Sequence, residues 1–153
     1  RLIGRTARGV RAIQLGDGDY VVGFAVKLEG FTLLTVSETG YGRKSEFSDY
    51  RIQSRAGKGL INYRTEQYGK VAMIAPVCDN NDVIMISSDG IIIRTNADQI
   101  STFQRPSKGV KVMKVNDGEK IATISVVDKL EETEEELIPD ADKTADSTEN
   151  TDE

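Results

Sequence analysis

Positive side chains recur in this sequence at a spacing suited to phosphate. Arg5 and Arg8, Arg55 and Lys58, and Arg105 and Lys108 each stand three residues apart, and each pair leads into a glycine, Gly9, Gly59 or Gly109. Arg11 and Lys111 follow just beyond the first and third of these links. Arg43, Lys44 and Arg94 follow Gly40 and Gly90 in a second register. A cation neutralises an oxyanion while a neighbouring glycine lets backbone N–H groups approach it, so the chemistry on offer is the holding of phosphate charge. Bond-making chemistry has few candidates. The chain has no His, no Trp and one Cys, Cys78. That excludes a Ser-His-Asp triad, a His-ligated or Cys-rich metal site and an internal disulfide, so no catalytic residue and no metal ligand is assigned. The five tyrosines, Tyr20, Tyr41, Tyr50, Tyr63 and Tyr68, lie in or beside strand-like patterns and are read as packing residues, not nucleophiles.

Reading bases in a groove calls for a recognition helix, a zinc finger or a set of stacking aromatics, and the sequence offers none of them. Repeated cations suit the tracking of a curved backbone, with specificity drawn from the deformability of the duplex. The charge pattern also leaves open a propeller-type protein-interaction scaffold whose cations are incidental.

The elements that must carry these cations repeat every fifty residues. Segment 5–26 matches 105–126 without a gap at Arg5, Gly9, Val10, Asp17, Gly18 and Val26. Ser37, Gly40, Lys44 and Ser45 match Ser87, Gly90, Arg94 and Thr95. Apolar alternation bounded by glycine turns predicts short strands. They are expected at 10–15, 21–28, 31–37 and 41–46, then at 60–65, 70–77, 83–88 and 91–95, then at 110–115 and 120–126. Repeat-equivalent apolar residues, Ile13, Tyr63 and Met113 or Phe24, Ile74 and Ile124, are expected in the core. About four strands per unit predict an all-β fold of propeller-like blades. Closure takes roughly four to eight blades, so two and a half units predict a partial ring.

Charge divides the chain in two. Residues 1–127 hold 18 Lys and Arg against 13 Asp and Glu, whereas residues 128–153 hold 2 Lys against 12 acids. The first part is expected to be the folded, basic body, in units of about 5–54, 55–104 and 105–127. The second, with no aromatic residue, is expected to be a disordered acidic tail. No apolar run approaches the roughly 20 residues needed to cross a bilayer, so no membrane partner is expected.

Gln53-Ser54-Arg55-Ala56-Gly57-Lys58-Gly59 is similar to the Q-R-R-G-G-K-G box of the DNA gyrase A C-terminal domain, with Ser54 and Ala56 departing from it. The segments around Arg5–Arg11 and Arg105–Val110 resemble weaker copies of that box. The resemblance implies a β-pinwheel that wraps double-stranded DNA on a basic rim, so that an ATP-dependent type II topoisomerase, DNA gyrase, introduces negative supercoils. It implies as partners the B subunit of gyrase and the rest of its A subunit, in an A2B2 heterotetramer, in the bacterial cytoplasm on the chromosome. ATP and Mg2+ would be used elsewhere in that holoenzyme, and no cofactor is expected on this chain. The corresponding domain of topoisomerase IV, whose box is degraded or absent, is the alternative resemblance.

Overall fold

A computed structural model describes residues 3–129. Its strands are β1 (Thr32–Ser37), β2 (Tyr41–Ser45), β3 (Val71–Val77), β4 (Asn81–Ser87), β5 (Ile92–Asn96), β6 (Val110–Lys111) and β7 (Ile121–Asp128). The only helical pieces among the described residues are a single turn, α1 (Thr65–Tyr68), and two 3-10 turns at Phe47–Asp49 and Ala97–Gln99. The strands form two antiparallel sheets, in the orders β3-β1-β2-β6 and β5-β4-β7. The all-β expectation holds.

The fifty-residue repeat is visible as a repeat of register. Thr32 faces Val77 and Val36 faces Met73, with a one-residue slip between Val36 and Ser37. Fifty residues on, Asp82 faces Val127 and Ile86 faces Thr123, with the same slip between Ile86 and Ser87. Each sheet nevertheless draws on more than one unit. β1 and β2 belong to the first, β3 to the second and β6 to the third. A blade is therefore shared between consecutive repeats, because the turn after β1 leads straight into β2 while the partner on β1's other edge arrives one unit later.

That sharing explains where the strand expectations fail. Segments 10–15 and 21–28 form no strand, and their one pairing is a bridge between Ile13 and Gly57. Neither segment has a partner strand among the described residues. Phe24 is accordingly 85% exposed and Ile13 42% exposed, against the expectation that both are core. Segment 60–65 is also not a strand. Tyr63 is buried there all the same, and Thr65 opens α1.

The core runs across both sheets: Leu34, Val36 and Val77 from the first pack with Val83, Met85, Ile121 and Ile124 from the second, joined by Ala97, Ile100 and Met113. Fully burying one such Leu, Val, Ile or Met side chain contributes about 1.5–3 kcal/mol. The body continues past residue 127. Asp128 ends β7, and the Lys129 N–H donates to Asn80 O at 2.9 Å. The rest of the acidic segment expected to be disordered lies outside the described residues. No helix of the described residues is long and apolar enough to cross a membrane.

Candidate nucleic-acid interface

The three cationic links lie next to one another. In the first, Arg5, Arg8 and Arg11 are exposed. In the second, Gln53, Arg55, Lys58 and Gly59 are exposed and Gly57 is half-buried. The first two run side by side, with Gln14 N–H donating to Gly57 O and Ala56 N–H donating to Ala12 O, both at 2.9 Å. Ala56 sits at φ 61, a left-handed conformation that costs an L-residue roughly 1–2 kcal/mol and is free to glycine. The gyrase box has glycine at this position, so the departure carries a measurable strain.

The third link is fixed in detail. Arg105 donates from Nε to Asp49 O and from Nη1 to Ile61 O, each at 2.9 Å, with its guanidinium 5.1 Å from the Tyr50 ring centroid. Because Ile61 closes the second link, Arg105 joins the third link to it. The Lys108 carbonyl accepts from the Tyr63 hydroxyl at 3.1 Å. Its ammonium stands 3.7 Å from the Tyr41 centroid and 5.8 Å from that of Tyr68, and Tyr68 meets Tyr63 edge to face. Lys111 is exposed, pairs with Tyr41 through the β2–β6 ladder and places its Nζ 5.5 Å from the same ring. Cations over aromatic faces are held in place without being neutralised, so they remain available to an anion. The Lys108 ammonium, as donor and as charge, lowers the Tyr41 phenol below its ordinary 10.0, with a smaller push from Lys111. Burial raises the phenol of Tyr63.

The second register of cations does not face solvent in this way. Arg43 is completely buried, donating from Nε to Ser107 O at 3.1 Å and from Nη2 to Asn62 O at 2.5 Å and Asn62 Oδ1 at 2.9 Å. Lys44 is nearly as buried and donates to Asp79 at 3.0 Å. Both are turned away from solvent, against the expectation that they meet phosphate: Arg43 is enclosed by Asn62 of the second unit and Ser107 of the third, and Lys44 exchanges backbone hydrogen bonds with Ser101 and Phe103 at the end of the second. Arg94 is partly exposed but ion-paired with Asp82 at 2.5 Å. Arg105 is half-buried, with donors already committed to backbone carbonyls. Of the expected phosphate-binding cations, those left free at the surface are Arg5, Arg8, Arg11, Arg55, Lys58 and Lys111, with Lys108 on its aromatic seat.

Sequence reasoning misses that seat. It reads Tyr41, Tyr50, Tyr63 and Tyr68 as packing residues, and Asn62 carries no signal. The one available hint is the clustering of four tyrosines around links rich in Lys and Arg, the composition of a cation–aromatic surface. No group of three acidic or Cys side chains placed to hold a metal occurs among the described residues.

Comparison with known proteins adds the family. Residues 1–26, 32–78 and 81–128 match the family described as the DNA gyrase C-terminal domain, beta-propeller. The DNA gyrase A subunit of Staphylococcus epidermidis (strain ATCC 12228) is 37% identical over 132 residues, which span 84% of this chain and 15% of that protein. The DNA gyrase A subunit of Lawsonia intracellularis is 36% identical over 132 residues, spanning 84% of this chain and 16% of that protein. The chain thus covers about one sixth of the curated relatives it matches. Among solved structures, one of the DNA gyrase A C-terminal domain superposes with a TM-score of 0.68 at 26% identity, covering 82% of this chain and 43% of that one. The C-terminal domain of DNA topoisomerase IV superposes with a TM-score of 0.71 at 17% identity, covering 78% of this chain and 38% of that one, a likeness of fold.

Proposed function

Since this chain belongs to the DNA gyrase C-terminal domain family, we propose that it holds bent double-stranded DNA against its three adjacent cationic links, as part of a gyrase A subunit that acts with a B subunit to supercoil DNA in the bacterial cytoplasm. The observation that supports this reading best is the third link. Lys108 and Lys111 share the Tyr41 ring on a backbone held by Arg43 and Tyr63, and the first two links, hydrogen-bonded to each other, carry exposed cations. Residues 3–129 form the DNA-holding body in this reading, and residues 130–153, with 11 acids and one Lys, act as a competing polyanion.

The energetics favour a distributed surface. Bending 20–30 base pairs by 40–90° costs about 1–6 kcal/mol, which several phosphate contacts together can offset. The reading is tested by reversing Arg55, Lys58, Lys108 and Lys111 to Glu in the intact protein. Duplex affinity is expected to collapse with the fold retained. A scaffold with incidental cations would keep whatever duplex affinity it has.

A further inference from the structure

The first sheet contains a buried polar network where the second is apolar. Arg43 reaches Ser107 O and Asn62. The Asn62 Oδ1 also accepts from the Tyr50 hydroxyl at 2.5 Å, its Nδ2 donates to Thr35 Oγ1 at 3.0 Å, and the Tyr50 and Ser45 hydroxyls lie 3.0 Å apart. Fifty residues on, the positions of Thr35, Arg43, Tyr50 and Asn62 hold Met85, Ile93, Ile100 and Val112. Met85 and Ile100 are core there, with Ile93 and Val112 packed against it. The same architecture is therefore compatible with an apolar set at all four places. Arg43 faces no carboxylate within ion-pair distance among the described residues, and its Nη1 has no hydrogen-bond partner there. Burying an unpaired charge opposes stability, and replacing buried polar groups by packed apolar ones is often neutral or stabilising. Stability alone does not account for Arg43.

What the network does hold is the third link. Ser107 O is bonded by Arg43, Lys108 O by Tyr63, and Arg105 spans Asp49 and Ile61. Gly109, at φ 81, lies so close to Gly42 O and the Arg43 Cβ that a side chain has no room. Resting on the DNA-holding reading above, we propose that Arg43 is a positioning residue. Its buried guanidinium fastens the 105–111 link to Asn62, so that Lys108 and Lys111 meet phosphate from a backbone already in place. Ordering the link in advance removes an entropic cost from binding, which is how a residue that never touches DNA changes its affinity.

The test uses two variants of the intact protein. Thr35→Met, Arg43→Ile, Tyr50→Ile and Asn62→Val together copy the apolar set of the second sheet into the first. Arg43→Lys keeps the charge but has one ammonium in place of the fork that reaches both partners. Three readouts are taken: thermal midpoint, hydrogen exchange of peptides covering 104–113, and affinity for a 40-base-pair duplex. The expected result for both variants is a folded protein, at least tenfold faster exchange confined to 104–113, and duplex affinity lowered about tenfold, the scale of losing one pre-ordered contact. Unchanged exchange at 104–113 in either folded variant overturns the proposal, as does loosened exchange with unchanged affinity while the parent binds duplex. If the parent itself binds no duplex, the DNA reading fails and takes the proposed role with it. Exchange at 104–113 then still reports whether the fastening exists.

Discussion

The Lys108 ammonium sits 3.7 Å from the centre of the Tyr41 ring, joining the third cationic link to the start of β2. The contact turns a cation that sequence places on a loop into one with a fixed address. Its spectroscopic consequence is direct. Tyr41 titrates below 10.0 in the folded protein, because Lys108 favours the phenolate. The stabilisation from this depressed phenol is present above the unfolded value and fades as pH falls through the folded one, so neutral-pH stability does not contain it. Lys108→Met is expected to move the Tyr41 midpoint upward in a spectrophotometric or NMR titration, with Tyr63 still titrating above 10.0. An unchanged Tyr41 midpoint would place Lys108 elsewhere.

Gly40 and Gly90 occupy equivalent turns with φ of 83 and 84. A Cβ on Gly40 would run into Met113 O, whereas one on Gly90 meets nothing within 4 Å. Gly90→Ala should therefore cost about 1 kcal/mol, the left-handed penalty alone. Gly40→Ala should cost at least about 2 kcal/mol more, since backbone of the third unit has to shift. Urea denaturation of the two variants measures the gap. Equal losses would mean that the third unit does not pack over the first sheet.

Lys44 and Asp79 form an ion pair in which the lysine is buried and the carboxylate 80% exposed. Lys44→Met is expected to change stability by less than about 1 kcal/mol, because a screened pair is worth little and the methionine fills the same space. It should leave duplex affinity untouched, in contrast to Lys58→Met, which removes an exposed cation. A matched loss in both variants would return Lys44 to the surface set.

How much of the fold and the interface is legible in sequence depends on what each residue's surroundings are made of. β1, β2, β4 and β5 follow from local alternation and glycine turns, and the fifty-residue offset reappears as identical register, slip included, in β3 on β1 and β7 on β4. Arg43 is not placed by such reasoning. A cation after a glycine turn reads as surface, and it is Asn62 from the second unit and the Ser107–Gly109 stretch from the third that enclose it. Phe24 errs in the opposite sense, since its pattern is that of a core strand but no strand pairs with its segment among the described residues. The exposed cations Arg5, Arg8, Arg55 and Lys58 are found because nothing distant alters them. The tyrosine seat of Lys108 is not, because Tyr41, Tyr63 and Tyr68 converge only through sheet topology.

The acidic segment carries its own prediction. Residues 130–153 bring 11 acids and one Lys to a body with an excess of cations. If they compete for the links, ending the chain at Lys129 should tighten duplex binding at low salt and leave it unchanged above about 0.3 M, where the Debye length is short. Titrations of the two forms at both salt concentrations check this, and identical affinities at low salt would contradict it.

Phosphate tracking by a distributed set of cations has one decisive signature, the salt dependence of duplex binding by the intact protein. Arg5, Arg8, Arg11, Arg55, Lys58 and Lys111 are exposed, and engaging about six phosphates predicts a slope near −5 in log affinity against log salt, about a thousandfold loss between 50 and 200 mM. Unrelated duplexes of equal length should share that slope. A slope near zero, or strong preference for one sequence over another at fixed salt, would contradict a surface that holds DNA through its backbone.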